Sequence, residues 1–371
     1  MSLSGRAVTV IGGGVAGLAV ARATALRGAK VTLHEQAPEI AEVGAGLQIS
    51  PNGLRVIDAL GLGDALRAVA VKATAIRLRD YRGAEVLRLD LARHAPRDDY
   101  LFIHRARLVE VLEHGARAAG VAVRTGSRCE PPPPEGLTLG ADGLHSAMRA
   151  ALDGDRRAFF TGQVAWRALV ADPDAAPEVQ VFMGPGRHLV TYPVAWGLRN
   201  IVAVQERSEW TAEGWHHEDK PDTVARVFAD FAPEVRGWLD RIEQVHLWGL
   251  FRHPVTERWH DGHRALLGDA AHPTLPFLAQ GANMALEDAW VLADRLDRFP
   301  QAEALAAYQS TRRDRVVRVV AAAEANARNY HLSSPVVRRL AHAALRFGGA
   351  VAPSAALRRF DWLYGHDATR A

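Results

Sequence analysis

The feature that most constrains this chain stands within its first forty residues: a β-branched apolar run ending at Ile11, three consecutive glycines, then an Ala/Leu-rich stretch without a breaker. Val8 to Ile11 predicts a strand, Gly12 to Gly14 a tight turn, and Val15 to Leu26 a helix that Gly28 ends. A second strand over Lys30 to His34 stops at Glu35, so these residues form one βαβ unit with parallel strands. Within it the glycines are spaced Gly12-x-Gly14-x-x-Gly17. Gly12 permits the turn, Gly14 lets backbone approach a pyrophosphate, with Ala16 beside it, and Gly17 lets helix and strand pack. The helix N-terminus adds amide donors and the positive end of a dipole. Glu35, followed by Gln36, is placed to bind ribose hydroxyls; a turn serving packing alone would leave that acid unexplained. The unit calls for a dinucleotide, and by itself it does not distinguish NAD from FAD.

At 371 residues and 48% hydrophobic composition, the chain can bury the core of two domains or of one large composite one. Cys129 is its single cysteine, which excludes an intrachain disulfide and a thiolate-built metal site and fits a reducing compartment, the cytoplasm by default. No metal site is expected. The start lacks the pattern of a signal peptide, and no window approaches the roughly 20 apolar residues of a membrane span. With 45 basic against 42 acidic residues, nucleic-acid binding is not suggested. Arg312, Arg313, Arg315 and Arg318 are expected around a helix as a solvated face.

Further along, Ala73 to Leu89 alternates like two strands joined at Arg82-Gly83, and Arg105 to Ala119 returns to helical spacing. Phe159 to Val204 reads as strands separated by Gly, Pro and Asp turns, at the spacing of an antiparallel sheet. Thr223 to Ile242 is expected to be helical, Ala265 to Gly268 a short buried strand, and Asn283 to Leu296 part of a long helix. Ala302 to Leu363 reads as mostly helical, broken at Pro335 and punctuated again at Gly348 to Pro353. Gly184-Pro185-Gly186 and Gly348-Gly349 are read as turns, so no second nucleotide unit is expected. Pro131 to Pro134 reads as an extended connector.

Leu267-Gly268-Asp269-Ala270-Ala271-His272-Pro273, continuing as TLPFLAQGANMALEDA to Ala289, resembles the second FAD fingerprint of the flavoprotein aromatic hydroxylases, which include para-hydroxybenzoate, salicylate and 3-hydroxybenzoate hydroxylases. Gly140-Ala141-Asp142-Gly143, with Ser146 and Arg149, is similar to that family's GADGxxSxxR segment. The resemblance covers most of residues 6 to 300. It implies a Rossmann-like FAD domain with a parallel sheet, interleaved with a smaller, mostly antiparallel substrate sheet and followed by a helical C-terminus. The expected division is 1–72, 101–158 and 255–300 for FAD; 73–100 and 159–254 for substrate; 301–371 for the C-terminal helices.

Asp269 is expected to accept from the ribityl chain and Gly281, Ala282 and Asn283 to open a helix at the flavin pyrimidine edge. The resemblance adds Asp142, Arg105 and Gln48 as FAD contacts and Pro276 as the residue whose carbonyl faces flavin and substrate. One departure stands out. Only EPPPPEG occupies the place where relatives carry several more strands before the GADG segment, which should expose a sheet edge without removing flavin contacts.

The implied activity is NAD(P)H- and O2-dependent hydroxylation of a small aromatic or heteroaromatic substrate (hydroxybenzoate, salicylate or hydroxypyridine type) through a flavin C4a-hydroperoxide, with non-covalent FAD and with NADH or NADPH as co-substrate. A closed, largely apolar pocket with a few directing polar groups should protect that chemistry from water. Tyr192 and Arg167 are candidates for its wall, and His217 or His216 for a base. His272 is read as orienting the flavin loop. Flavin halogenases share the scaffold, but their WxWxIP string is absent here. A flavin reductase of isoprenoid type, and a flavin-binding regulatory protein without hydroxylase activity, remain as alternatives. The protein is expected to be a monomer or homodimer.

Overall fold

Every neighbouring pair in the sheet built around the glycine motif is parallel, as a strand-helix-strand start requires. A computed structural model describes residues 3–40, 46–95, 98–129, 136–154, 157–210 and 217–370. In it Ala7–Ile11 is the central strand, flanked by Lys30–His34 and then Ala122–Arg124 on one side, and by Leu137–Gly140 and then Arg264–Leu266 on the other. The helix Val15–Ala25 crosses this sheet with almost every residue buried, because its alanines let neighbouring helices approach closely. Ala122–Arg124 is a three-residue edge with exposed ends, and the proline connector at 131–134 lies outside the described residues.

A second sheet has eight strands in the order His217–Asp219, Val245–Arg252, Phe159–Ala171, Leu198–Glu206, Arg187–Val194, Glu178–Gly184, Ala75–Asp80, Glu85–Asp90. All its pairs are antiparallel except Glu178–Gly184 with Ala75–Asp80. A third, small antiparallel sheet of Gly46–Ile49, Leu101–His104 and Val71–Lys72 had no clear sequence signal. Its strands are two to four residues long, too short for periodicity to register.

Three expectations need correction. The helical stretch from Thr223 to Ile242 is two helices, Pro221–Val227 and Pro233–Leu239, because Pro233 cannot continue the first and starts the second. Gly348-Gly349 is not a turn: the helix Pro335–Val351 runs through both, and a Cβ on Gly349 would stand 2.4 Å from Leu87 Cδ1, so this glycine serves a close approach to the eight-stranded sheet. The arginine group is not a solvated face either. Arg312 is fully buried within the thirty-residue helix Gln301–Tyr330, and Arg315 is largely buried.

That helix packs on Gly281–Arg298, and both contribute to the core of the parallel sheet through Leu286, Leu292, Leu305, Tyr308 and Val316. A separate core beneath the two short helices joins Trp166, Phe182, Phe228 and Val235. Each such side chain supplies about 1.5–3 kcal/mol on burial. Among the described residues no helix is long and apolar enough to cross a membrane.

Candidate active site

Gly12 has φ +104°, and a Cβ there would lie 2.2 Å from the Ala141 carbonyl oxygen; one on Gly17 would lie 1.9 Å from the Gly12 oxygen. Gly14 differs. It caps the helix Val15–Ala25 with φ −78°, and none of the described residues lies within 4 Å of its Cβ position, so the amide end of the helix faces open space among them. Glu35 borders that space. Its Oε2 accepts from Gly13 N at 2.6 Å and its Oε1 from Ala37 N at 2.8 Å, while Gln36 is exposed.

The other two sequence motifs converge on this loop. Ala141 N donates to Ile11 O at 2.8 Å, and a Cβ on Gly268 would stand 2.8 Å from Ala16 Cβ. Arg149 ties the motifs to each other: its Nη1 donates to Asp269 O at 3.0 Å and Ala270 O at 3.2 Å, and its Nη2 to Leu144 O. Asp142 Oδ2 accepts from Met148 N at 3.2 Å, while its buried Oδ1 has no partner among the described residues. Asp269 has an accessible surface, yet burial raises its carboxyl above the ordinary range against the pull of His272, Arg105, Arg149 and His253. Asp269 is thus crowded by packed chain and cations on several sides and open on another. Arg105 heads the helix Arg105–Ala118 within electrostatic reach of both Asp269 and Arg167. An open amide cap, an orphaned carboxylate oxygen and a recessed carboxyl suit a nucleotide with hydroxyls to donate.

Beside the turn Gly268 to His272 lies a buried polar network with little sequence signature. His272 Nε2 lies 2.5 Å from Asp288 Oδ2, which also accepts from Gly268 N at 3.0 Å. Arg312 Nε donates to Asp288 Oδ1 at 2.7 Å, and its Nη1 pairs with Glu287 Oε2 at 2.6 Å. Arg315 and Asn52 also donate to Glu287, and Asn52 and Ser50 both bond Gln280. Burial would raise both carboxyls, but Arg312 and Arg315 at Glu287, and His272 and Arg312 at Asp288, outweigh it and hold each at about 2. His272 therefore ties the turn after Asp269 to the helix Gly281–Arg298. Asn283 is committed as well: its Oδ1 accepts from Ser50 N at 3.0 Å and its Nδ2 donates to Gln48 O at 3.0 Å. At Gly281, Ala282 and Asn283, only backbone amides are left for a ligand. Pro276 opens a 3-10 turn whose Ala279 N donates to the Pro276 carbonyl at 3.2 Å.

One face of the eight-stranded sheet looks onto these elements. Cross-strand register puts His246, Arg167, Val202 and Val190 in one row, with Tyr192 and Asn200 in the next on the same face. Here polar groups lack partners: Arg167 Nε, His246 Nδ1 and Asn200 Nδ2 are buried without a hydrogen bond among the described residues. Arg167 lies over the Trp248 ring at 4.8 Å. Burial pushes Tyr192 up to about 12 despite Arg167 and a hydrogen bond with Gln48, whose Oε1 also accepts from Tyr100 OH at 2.7 Å. Asn200 Oδ1 accepts from Gly46 N at 2.8 Å, pinning the eight-stranded sheet to the small one. The sequence reading missed His188. It lies on the Tyr192 face four residues away, 1% exposed, with its ring 5.7 Å from that of Phe277. The alternation of HLVTYPV could have found it. His217 pairs with Leu247 in the row of Trp166, not that of Arg167; its side chain and all of His216 lie outside the described residues.

A parallel sheet whose glycine loop meets two distant motifs, set against a larger antiparallel sheet, defines a flavin-dependent oxidoreductase of the interleaved two-sheet kind. The FAD binding domain family matches residues 6–131 and 136–323. The chain is 36% identical to a 3-amino-4-hydroxybenzoate 2-monooxygenase of Streptomyces platensis, over 97% of this chain and 96% of that one. It is 34% identical to a 3-hydroxybenzoate 6-hydroxylase of Polaromonas naphthalenivorans, over 96% and 95%. A solved salicylate hydroxylase substrate complex superposes with a TM-score of 0.81 at 26% identity, covering 99% of this chain and 97% of that one. The protein belongs to the FAD-dependent aromatic hydroxylases.

Proposed function

We propose that this protein hydroxylates a small aromatic acid carrying a ring hydroxyl, bound between the flavin cleft and the sheet face that holds Arg167 and Tyr192. The observation that carries this reading is the set of unsatisfied groups on that face. A buried guanidinium nitrogen without a partner costs free energy unless a ligand completes it, and a carboxylate is its natural complement. The relatives named for 3-amino-4-hydroxybenzoate and 3-hydroxybenzoate point to the same class.

In this reading FAD is held by Gly12, Gly14, Ala16, Gly17, Glu35 and Gln36 at the nucleotide end. Asp142, Arg105 and Asp269 hold its middle, and Gln48 with the amides of Gly281, Ala282 and Asn283 its ring end. Bound FAD supplies the oxygen-activating chemistry, after reduction by NADH or NADPH. The chain's own residues do the rest. Arg167 takes the carboxylate, Tyr192 stays neutral as a hydrogen-bond donor, and Pro276 shapes the wall. His188 Nε2 accepts the proton of the ring hydroxyl, which makes the ring carbons beside and opposite that oxygen electron-rich. Trp248 and Phe277 keep water out. We read residues 1–72, 101–158 and 255–300 as the flavin part, 73–100 and 159–254 as the substrate part, and 301–371 as the C-terminal helices, in a cytoplasmic monomer or homodimer.

The test is NADH and NADPH oxidation by the yellow holoprotein with 3-hydroxybenzoate, salicylate and 3-amino-4-hydroxybenzoate, with products weighed by mass spectrometry. Accelerated oxidation and a product one oxygen heavier are expected. No acceleration by any of the three sinks the reading in favour of a regulatory flavoprotein. Asp269→Ala should purify colourless; stoichiometric FAD in that variant removes Asp269 from the site.

A further inference from the structure

His188 is the inner end of a row of titratable groups that leads away from the pocket. Its Nδ1 lies 2.6 Å from His331 Nε2, and His331 Nδ1 lies 2.9 Å from Glu206 Oε1. His331 directly follows the helix Gln301–Tyr330, and Gly186 N donates to its carbonyl at 3.3 Å. Exposure changes along the row from 1% at His188 and 4% at His331 to 51% for the Glu206 side chain. Glu206 lines an open surface recess of about 450 Å³ together with Gln205, Arg187 and Arg226. The row thus runs from the sheet face opposite Phe277 to water without a gap longer than a hydrogen bond.

A structural tie needs one such contact. Two imidazoles in series, with a carboxylate at the wet end, form a path in which each ring takes a proton on one nitrogen and gives one up from the other. We propose that His331 and Glu206 carry to solvent the proton that His188 takes from the substrate, an inference that rests on the phenol reading above. The ring O–H bond breaks and a bond to His188 Nε2 forms. The Nδ1 proton of His188 passes to His331 Nε2, the Nδ1 proton of His331 to Glu206 Oε1, and the resulting carboxylic acid releases its proton to water in the recess. One proton leaves and no electrons move. Its return along the same path, when the product regains a neutral hydroxyl, resets both imidazole tautomers.

The surroundings favour neutral rings. Burial, and then the neighbouring His331, hold His188 well below the ordinary imidazole range; burial lowers His331 too, against the pull of Glu206. The other groups facing the row are Gln163, whose Nε2 is 3.5 Å from His331 Nδ1, and Tyr330, whose ring is 5.2 Å from that of His188 and whose hydroxyl burial keeps protonated. Arg187 stands at the recess, pinned to Val227 O and Asp230.

The experiment mixes FAD-loaded protein with 3-hydroxybenzoate in weak buffer and follows proton release with a pH-indicator dye, alongside the ligand-induced change in the flavin spectrum. Glu206→Gln is expected to slow proton release about tenfold or more with the flavin change intact. His331→Ala should slow it further, and added imidazole should restore it. Release at the wild-type rate in Glu206→Gln, or slow release in His331→Ala that imidazole does not restore, overturns the route and leaves the phenol reading standing. A wild-type protein that shows no flavin change and no proton release with 3-hydroxybenzoate, salicylate or 3-amino-4-hydroxybenzoate overturns the phenol reading, and the route with it.

Discussion

Two buried polar sites, one on each side of the molecule, treat polarity in opposite ways. Beside the turn Gly268 to His272, Glu287 and Asp288 are each met by cations, and Arg312 answers both at 2.6 and 2.7 Å. On the facing sheet, Arg167 makes no ion pair among the described residues, and its Nε, His246 Nδ1 and Asn200 Nδ2 have no partner. The first arrangement completes itself and fixes a shape; the second is incomplete until something else arrives. A cofactor cradle gains from rigidity before binding, whereas a pocket that selects a carboxylate gains from a cation left without one.

The comparison fails most visibly if the paired and unpaired arginines respond alike to removal. Arg312→Ala removes the cation that Glu287 and Asp288 share, leaving the first to Arg315 and the second to His272, and should cost about 3–5 kcal/mol in urea unfolding, while Arg167→Met should stay within about 1 kcal/mol of wild type or gain stability. Equal losses would erase the distinction. The next effect belongs to binding. Arg167→Met should weaken 3-hydroxybenzoate by about 2–3 kcal/mol, followed by flavin absorbance, and leave the affinity for 3-hydroxybenzamide unchanged. If acid and amide lose affinity equally, Arg167 is packing rather than recognition.

Within the flavin half, Gly14 sharpens the contrast between shape and vacancy. Gly14→Ser should leave apoprotein stability within about 0.5 kcal/mol, since serine caps helices well, yet weaken FAD retention about tenfold because its side chain enters the space beside the amides. Gly17→Ala, by contrast, should destabilise the apoprotein itself. The smallest effect is acid sensitivity. Glu287 and Asp288 sit at about 2, below their ordinary 4.5 and 3.8, so their contribution is fully present above pH 4.5 and fades as pH falls toward 2. Urea midpoints against pH should fall across that window, and from a higher pH in Arg312→Ala.

What could be read from the sequence follows from how local each signal is. The glycine loop, Lys30–His34 and the strands carrying Arg167 and Tyr192 announce themselves through spacing of two or three and a half residues. The polar network does not, because Asn52 comes from a segment more than two hundred residues before Glu287 and Arg312, and on a helix Arg312 looks like any solvated arginine. His188 lay within a strand already assigned, but its pairing with His331 depends on where a helix of thirty residues happens to end. Short strands such as Val71–Lys72 exist only through their partners.

The order of segments along the chain has a consequence for how such a protein diversifies. The polypeptide leaves the flavin side for the eight-stranded sheet after Lys72 and again after Asp153, and returns after Asp90 and after Arg252. No single cut frees either part, yet Arg167, His188, Tyr192, Asn200 and His246 all stand on the one continuous segment Phe159–Arg252. A change of residues on that face can therefore be made, or transplanted, within a single stretch of chain whose two ends both return to the parallel sheet.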